Sequence, residues 1–118
     1  MALSCFIVDD SAAFIDAAVN VLQRGGVAVV GTASTAACAL QQARELDPDV
    51  ILVDIMLGLE SGLELAKSIA DTGLRSTVIL ISTHSEADFA DLIAETPAAG
   101  FVPKSELSAG VIRTLAGV

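Results

Sequence analysis

Short apolar runs alternate along the chain with stretches whose apolar residues recur at helical spacing. Residues 3–8 form a strand-like run that ends in two acids, Asp9 and Asp10. Phe14, Ala17, Ala18, Val21 and Leu22 then share one helical face, and Gly25 with Gly26 stops that helix. Residues 27–31 read as a second strand. Ala36, Ala39, Leu40 and Ala43 make a second helical stripe, which ends near Asp47 and Pro48. Residues 50–53 are all Val, Ile or Leu and predict a third strand, buried on both faces and closed by Asp54. Ser61 and Glu64 have the spacing of a capping box, with Leu65, Ala66 and Ile69 as the apolar face behind it. Residues 78–81 are the fourth strand, ending at Ser82. Ser85 and Asp88 predict the cap of the next helix, which carries Phe89, Leu92 and Ile93. Residues 100–103 are a brief fifth strand, and Leu107, Val111, Ile112 and Leu115 form the last helical face.

The pattern is a strand followed by a helix, five times over. Strands that are apolar throughout and separated by helices imply a parallel sheet covered on both faces, an α/β fold. The 118 residues suit one domain, 1–118, with no linker or repeat inside it.

Composition narrows the function classes. The chain is 53% hydrophobic, which excludes intrinsic disorder. Its net charge of −9, with six scattered bases, argues against direct binding of nucleic acid, whose phosphates are met by clustered Lys and Arg. The only aromatics are four Phe, so base stacking is not expected. Cys5 and Cys38 make neither a disulfide framework nor a Cys/His metal set, and read as small hydrophobes. The first residues lack the basic n-region of a signal peptide, and no apolar run approaches the ~20 residues of a membrane helix. The expected address is the cytoplasm, with no membrane partner.

In open parallel sheets, functional groups collect at the carboxyl ends of the strands. Taken in order, those ends carry Asp9 and Asp10, then Gly31 and Thr32, then Asp54, then Ser82 and Thr83, and finally Lys104. Three carboxylates, a hydroxyl and an ammonium are thus expected on one edge. Carboxylates packed together repel, so one of them should have a raised pKa or await a cation.

Each of these residues has an ordinary reading when taken alone. Asp9 and Asp10 would suit the N-terminus of a helix, Asp54 a turn, Ser82 a strand end and Lys104 the surface. Together and in this order they resemble the receiver domain of two-component response regulators. The matching stretches are Phe6-Ile7-Val8-Asp9-Asp10, Pro48-Asp49-Val50-Ile51-Leu52-Val53-Asp54, Val78-Ile79-Leu80-Ile81-Ser82 and Gly100-Phe101-Val102-Pro103-Lys104. The resemblance covers essentially the whole chain. It implies a doubly wound, five-stranded parallel sheet in the order 2-1-3-4-5, a (βα)5 fold of the flavodoxin or chemotaxis-regulator kind.

The resemblance also implies roles. Asp54 would be the phosphoacceptor, taking a phosphoryl group from a sensor histidine kinase or a phosphotransfer protein. Mg²⁺ or Mn²⁺ would be held by Asp10, Asp54 and the backbone carbonyl of Met56, with Asp9 acting through water. Lys104 and Ser82 would contact the phosphoryl oxygens, and Ser82 with Phe101 would form the switch. Met56, Thr83 and His84 would set the lifetime of the aspartyl phosphate. The surface of the fourth helix, fifth strand and fifth helix would then address an output domain or downstream protein, or a second copy as a homodimer. The result is a switch and not a turnover enzyme.

Departures from the family pattern are Gly58 and Ser61 in the loop after the third strand, Thr83 after the hydroxyl, and Ser105 after Lys104 where Pro is usual. The run of residues 100–107 looks like receivers that carry a LuxR-type helix-turn-helix output domain. Two other classes fit the sequence less well. A pseudo-receiver would bind partners without phosphorylation, but it usually lacks the nucleophile or the acid pair, and both are present. A haloacid-dehalogenase-type phosphatase carries a second Asp two residues after the first, where this chain has Met56.

Overall fold

The computed structural model describes residues 3–83 and 90–117. Strand β1 (Ser4–Val8) leads to helix α1 (Ala12–Arg24), β2 (Ala28–Ala33) and α2 (Ala36–Leu46). Then come β3 (Val50–Asp54), the two-residue strands β4 (Met56–Leu57) and β5 (Glu60–Ser61), and α3 (Gly62–Asp71). The chain continues through β6 (Thr77–Ser82), α4 (Ala90–Ala94), β7 (Gly100–Pro103), a 3-10 turn (Lys104–Glu106) and α5 (Ala109–Ala116).

The main sheet is parallel and ordered β2-β1-β3-β6-β7. These are the five strands expected from the sequence, in the order 2-1-3-4-5. Side chains alternate across the sheet with a period of two. Phe6, Val8, Ile51, Val53, Val78 and Leu80 face one cluster with Ala39 and Ala43 of α2 and Leu65, Ala66 and Ile69 of α3. Cys5, Ile7, Val50, Leu52, Ile79 and Ile81 face the other, with Ala18 and Leu22 of α1 and Ala109 and Ile112 of α5. The central strand β3 is buried along its whole length, as its unbroken apolar run requires. Burial pushes the Cys5 thiol up to about 12, so it stays a protonated core group.

Local chemistry sets the helix ends. Ser11, Thr35, Ser61 and Ser108 each cap a helix by accepting a hydrogen bond from the backbone N–H three residues on. Asp47 closes α2 in the left-handed conformation, at φ 45°. The forward half of the expected Ser61–Glu64 capping box is present, with Ser61 Oγ accepting from Glu64 N at 3.4 Å. The expected cap at Ser85 and Asp88, and Phe89 with it, lies outside the described residues.

Two details differ from the sequence reading. Strand β2 starts one residue later than expected and runs on to Ala33, because Gly31, Thr32 and Ala33 pair with Phe6, Ile7 and Val8. The loop after β3 also carries structure of its own. Met56 pairs with Ser61 and Leu57 with Glu60 in a small antiparallel hairpin. Gly58 in its turn sits at φ 60°, a backbone region that glycine enters without steric cost.

The amino end of the sheet is clamped by polar contacts. Asp49 Oδ2 accepts from the backbone N of Ser4 at 2.9 Å and from its Oγ at 3.0 Å. Ser4 Oγ in turn accepts from the backbone N of Asp49 at 2.8 Å. Arg75 pairs with Asp49 Oδ1 at 2.8 Å and with Asp47 Oδ2 at 3.3 Å.

Candidate functional site at the carboxyl edge of the sheet

Register brings the site together. Val8 pairs with Val53, so Asp9 and Asp54 leave adjacent strands at the same level. Asp54 pairs with Ile81, and Ser82 pairs with Pro103, the residue before Lys104. One carboxylate oxygen from each of Asp9, Asp10 and Asp54 lies within 4.8 Å of the others.

Asp9 is fully buried, Asp54 nearly so, and Asp10 is exposed. Asp9 does not cap α1 itself. Its Oδ1 accepts from Ser11 N at 2.8 Å, and Ser11 is the cap. Asp54 Oδ1 accepts from the backbone N of Met56 at 3.1 Å, and Oδ2 accepts from Lys104 Nζ at 3.1 Å. Lys104 Nζ also lies 2.7 Å from Asp9 Oδ2. That contact is a close ion pair without the alignment of a hydrogen bond, and among the described residues the buried Asp9 Oδ2 accepts no hydrogen bond. Lys104 is thus drawn inward between two carboxylates, with only 12% of its side chain exposed.

Electrostatics follow from this packing. Burial pushes the Asp54 carboxyl above its ordinary value of 3.8, and the Asp9 charge adds to the push. The Met56 N–H and Lys104 pull it back without cancelling the shift. For Lys104, burial works to lower the pKa, but the nearby charges of Asp9 and Asp54 and the hydrogen bond to Asp54 outweigh it, so the net direction is up. Repulsion among the acids leads one to expect at least one raised carboxyl or a cation; Asp54 is raised, but burial is the larger cause and the Asp9 charge the smaller.

The site suits a hard divalent cation. Its donors are all carboxylate oxygens, the ligand type such an ion takes, and one from each acid lies within 4.8 Å of the others. The exposure of Asp10 leaves one side of the cluster open to solvent.

The remaining sequence candidates fall around this centre. Ser82 is buried at the end of β6, and Thr83 beside it is exposed. Met56 is half exposed in the hairpin. Phe101, on β7, is partly buried against the cluster that holds α2 and α3. His84 lies outside the described residues. Ser105 follows Lys104 through a trans peptide bond, as all described bonds are trans.

Two residues near the centre were not read from the sequence as part of it. Gly62, the first residue of α3, packs against the backbone of Asp54 and donates its N–H to Ile55 O at 2.8 Å. The spacing of Phe14 predicts helical core, yet Lys104 Nζ sits 4.4 Å from the centre of its ring. A glycine opening a helix just after the Asp54 loop was the available signal for the first. Nothing in the spacing marked the second.

This arrangement of sheet, acid cluster and lysine coincides with a known family. The family model described as the response regulator receiver domain matches residues 5–115. The chain belongs to the response regulator receiver domains of two-component systems.

Its relatives include NarL of Mycobacterium tuberculosis, named as a probable transcriptional regulatory protein. It is 31% identical over 108 residues, which are 91% of this chain and 50% of that protein. The solved signal receiver domain of NarL superposes with a TM-score of 0.86 at 30% identity, covering 99% of this chain and 98% of that one. A LuxR-family two-component response regulator from Aurantimonas sp. SI85-9A1 gives a TM-score of 0.87 at 26% identity, covering 99% and 87% of the two chains. The protein-glutamate methylesterase/protein-glutamine glutaminase of Idiomarina loihiensis is 33% identical over 106 residues, 88% of this chain and 28% of that protein. The chain spans about half or less of the length of these curated relatives. Among the described residues, no helix is long and apolar enough to cross a membrane.

Proposed function

We propose that this receiver domain is phosphorylated on Asp54. The observation that carries the reading is Asp54 itself, nearly buried and grouped with Asp9 and Asp10 while paired to Lys104. A carboxylate oxygen of Asp54 attacks the phosphorus of a phosphohistidine on a sensor histidine kinase or phosphotransfer protein. The P–N bond breaks, and the imidazole leaves with its electron pair. Phosphoryl transfer depends mainly on positioning and charge neutralisation, which is what this edge supplies.

Asp10, Asp54 and the carbonyl of Met56 would hold Mg²⁺ or Mn²⁺, with Asp9 contributing through water. The ion supplies positive charge against the transferring phosphoryl oxygens. Lys104 moves its pairing from the Asp54 carboxylate to the phosphoryl group, and Ser82 donates a hydrogen bond to it. Movement of the loop after β6 toward the phosphoryl group gives Phe101 room to turn inward. The α4–β7–α5 surface then changes for an output domain, a downstream protein or a second copy of the chain. The bulk of Met56 and Thr83, and of His84, tunes how fast water removes the phosphoryl group. The relatives named as transcriptional or LuxR-family regulators support an output domain that acts on transcription from a separate part of the protein, leaving this acidic domain as its control.

The test is incubation with Mg²⁺ and acetyl phosphate followed by intact mass. The expected result is a gain of one phosphoryl group that is absent in Asp54→Asn. No gain in the wild-type chain supports a pseudo-receiver instead, and steady turnover of a phosphate ester supports a phosphatase.

A further inference from the structure

An ammonium group has three N–H donors. At Lys104 one donor goes to Asp54 Oδ2 at 3.1 Å, and Asp9 Oδ2 stands against another side as a close ion pair at 2.7 Å. A third is covered by the face of Phe14, 4.4 Å from Nζ to the ring centre. The side chain is only 12% exposed, so water has little access to replace that contact. An aromatic face carries the negative end of a quadrupole and attracts a cation, most strongly where water is excluded.

We propose that Phe14 is a positioning residue for Lys104, the third leg of a tripod that aims the ammonium at the phosphoryl site. The proposal rests on the reading of Asp54 as phosphoacceptor.

The ring is placed by the same turn that places Asp9. Ser11 donates its backbone N–H to Asp9 Oδ1 at 2.8 Å, and its Oγ accepts the backbone N–H of Phe14 at 3.3 Å. One serine therefore fixes both an anionic leg and the aromatic leg of the tripod. Phe14 also packs on the apolar cluster shared with α1 and α5, which restricts its ring. Phe14 and Lys104 line one groove of about 220 Å³ together with Ala17, Val21 and Leu107. A smaller or non-aromatic side chain at position 14 keeps an apolar wall but removes the attraction. Lys104 then spends part of its time turned toward water, away from where charge is transferred.

The test compares Phe14→Leu with Phe14→Tyr in the full chain, using two readouts. The first is the rate of phosphoryl incorporation from acetyl phosphate with Mg²⁺, followed by intact mass. The second is the NMR shift of the Lys104 ε-methylene protons, which the ring current moves upfield. Phe14→Leu is expected to slow incorporation by about three- to tenfold, within the range of a partly desolvated cation–π contact. It should also return the ε-methylene shift toward that of a free lysine. Phe14→Tyr, which restores the ring, is expected to recover both.

Wild-type incorporation in Phe14→Leu, or an unmoved Lys104 resonance, overturns the proposal. A slow rate that Phe14→Tyr does not rescue also overturns it, since the effect would then be one of packing alone. If Phe14→Leu fails to fold, Phe14→Met is read in the same way. If the wild-type chain takes up no phosphoryl group, the reading of Asp54 fails, and the Lys104 resonance alone still decides whether Phe14 positions the ammonium.

Discussion

Gly62 stands against Asp54 with no room for a side chain: a Cβ at Gly62 would fall 1.8 Å from the Asp54 carbonyl oxygen. The first turn of α3 can approach the end of β3 only because that carbon is missing. Gly62→Ala must therefore push α3 and the Asp54 backbone apart. The expected cost is about 1–3 kcal/mol in urea denaturation, the usual range for overpacking. Because the shift occurs at Asp54, phosphoryl incorporation should fall as well. A variant as stable as the wild type would show that the backbone can yield there without strain.

Asp54→Asn should raise stability at neutral pH. Burial lifts the Asp54 pKa above 3.8 in the folded chain, so its ionised form is disfavoured by folding. The resulting loss of stability is absent at pH below 3.8 and develops as pH rises through the folded value. Thermal melts of both proteins should coincide in acid and diverge toward neutral pH, with the variant melting higher. A variant that melts lower at pH 7 would mean that the Lys104 pairing outweighs burial.

Lys104→Met should have the opposite effect. It leaves the fully buried Oδ2 of Asp9 without its close cation. Removing one partner of a buried ion pair costs about 3 kcal/mol. The three carboxylates then face one another without compensation, so millimolar Mg²⁺ should raise the melting temperature of the variant more than that of the wild type. Equal Mg²⁺ responses in calorimetry would place the binding of the cation elsewhere.

Asp49→Asn tests the far end of the sheet. Hydrogen bonds from the Ser4 backbone and from Arg75 hold the Asp49 carboxyl at about 2, below its ordinary 3.8. A depressed carboxyl stabilises the fold fully above 3.8 and loses that contribution as pH falls through about 2. The variant should be less stable at neutral pH by on the order of 1 kcal/mol, after allowance for solvent screening. The gap should close in strong acid. A constant gap from pH 7 to pH 2 would assign the effect to shape alone.

The sheet was legible because its strands are short apolar runs bounded by polar ends. Residues 50–53 admit no other reading than a buried strand, and Asp54 closes β3 where expected. The apolar run predicts β2 only as far as Gly31, while the pairing of Thr32 and Ala33 with β1 depends on register that no local pattern encodes. The β4–β5 hairpin is too short to show a period, and its turn rests on one glycine. At the site, the charged residues were readable from their places at strand ends. Phe14 was not, because a ring that packs on the core and also faces an ammonium has the same spacing as one that only packs.

The Ser4–Asp49–Arg75 clamp gives the sheet a stiff end and a responsive one. At the amino end, the Asp49 carboxylate is held by donors from Ser4 and Arg75. At the opposite end, one lysine is shared among acids that outnumber it. Charge added there would fall on acids that already share one cation, at the opposite end of the sheet from the Ser4–Asp49–Arg75 contacts.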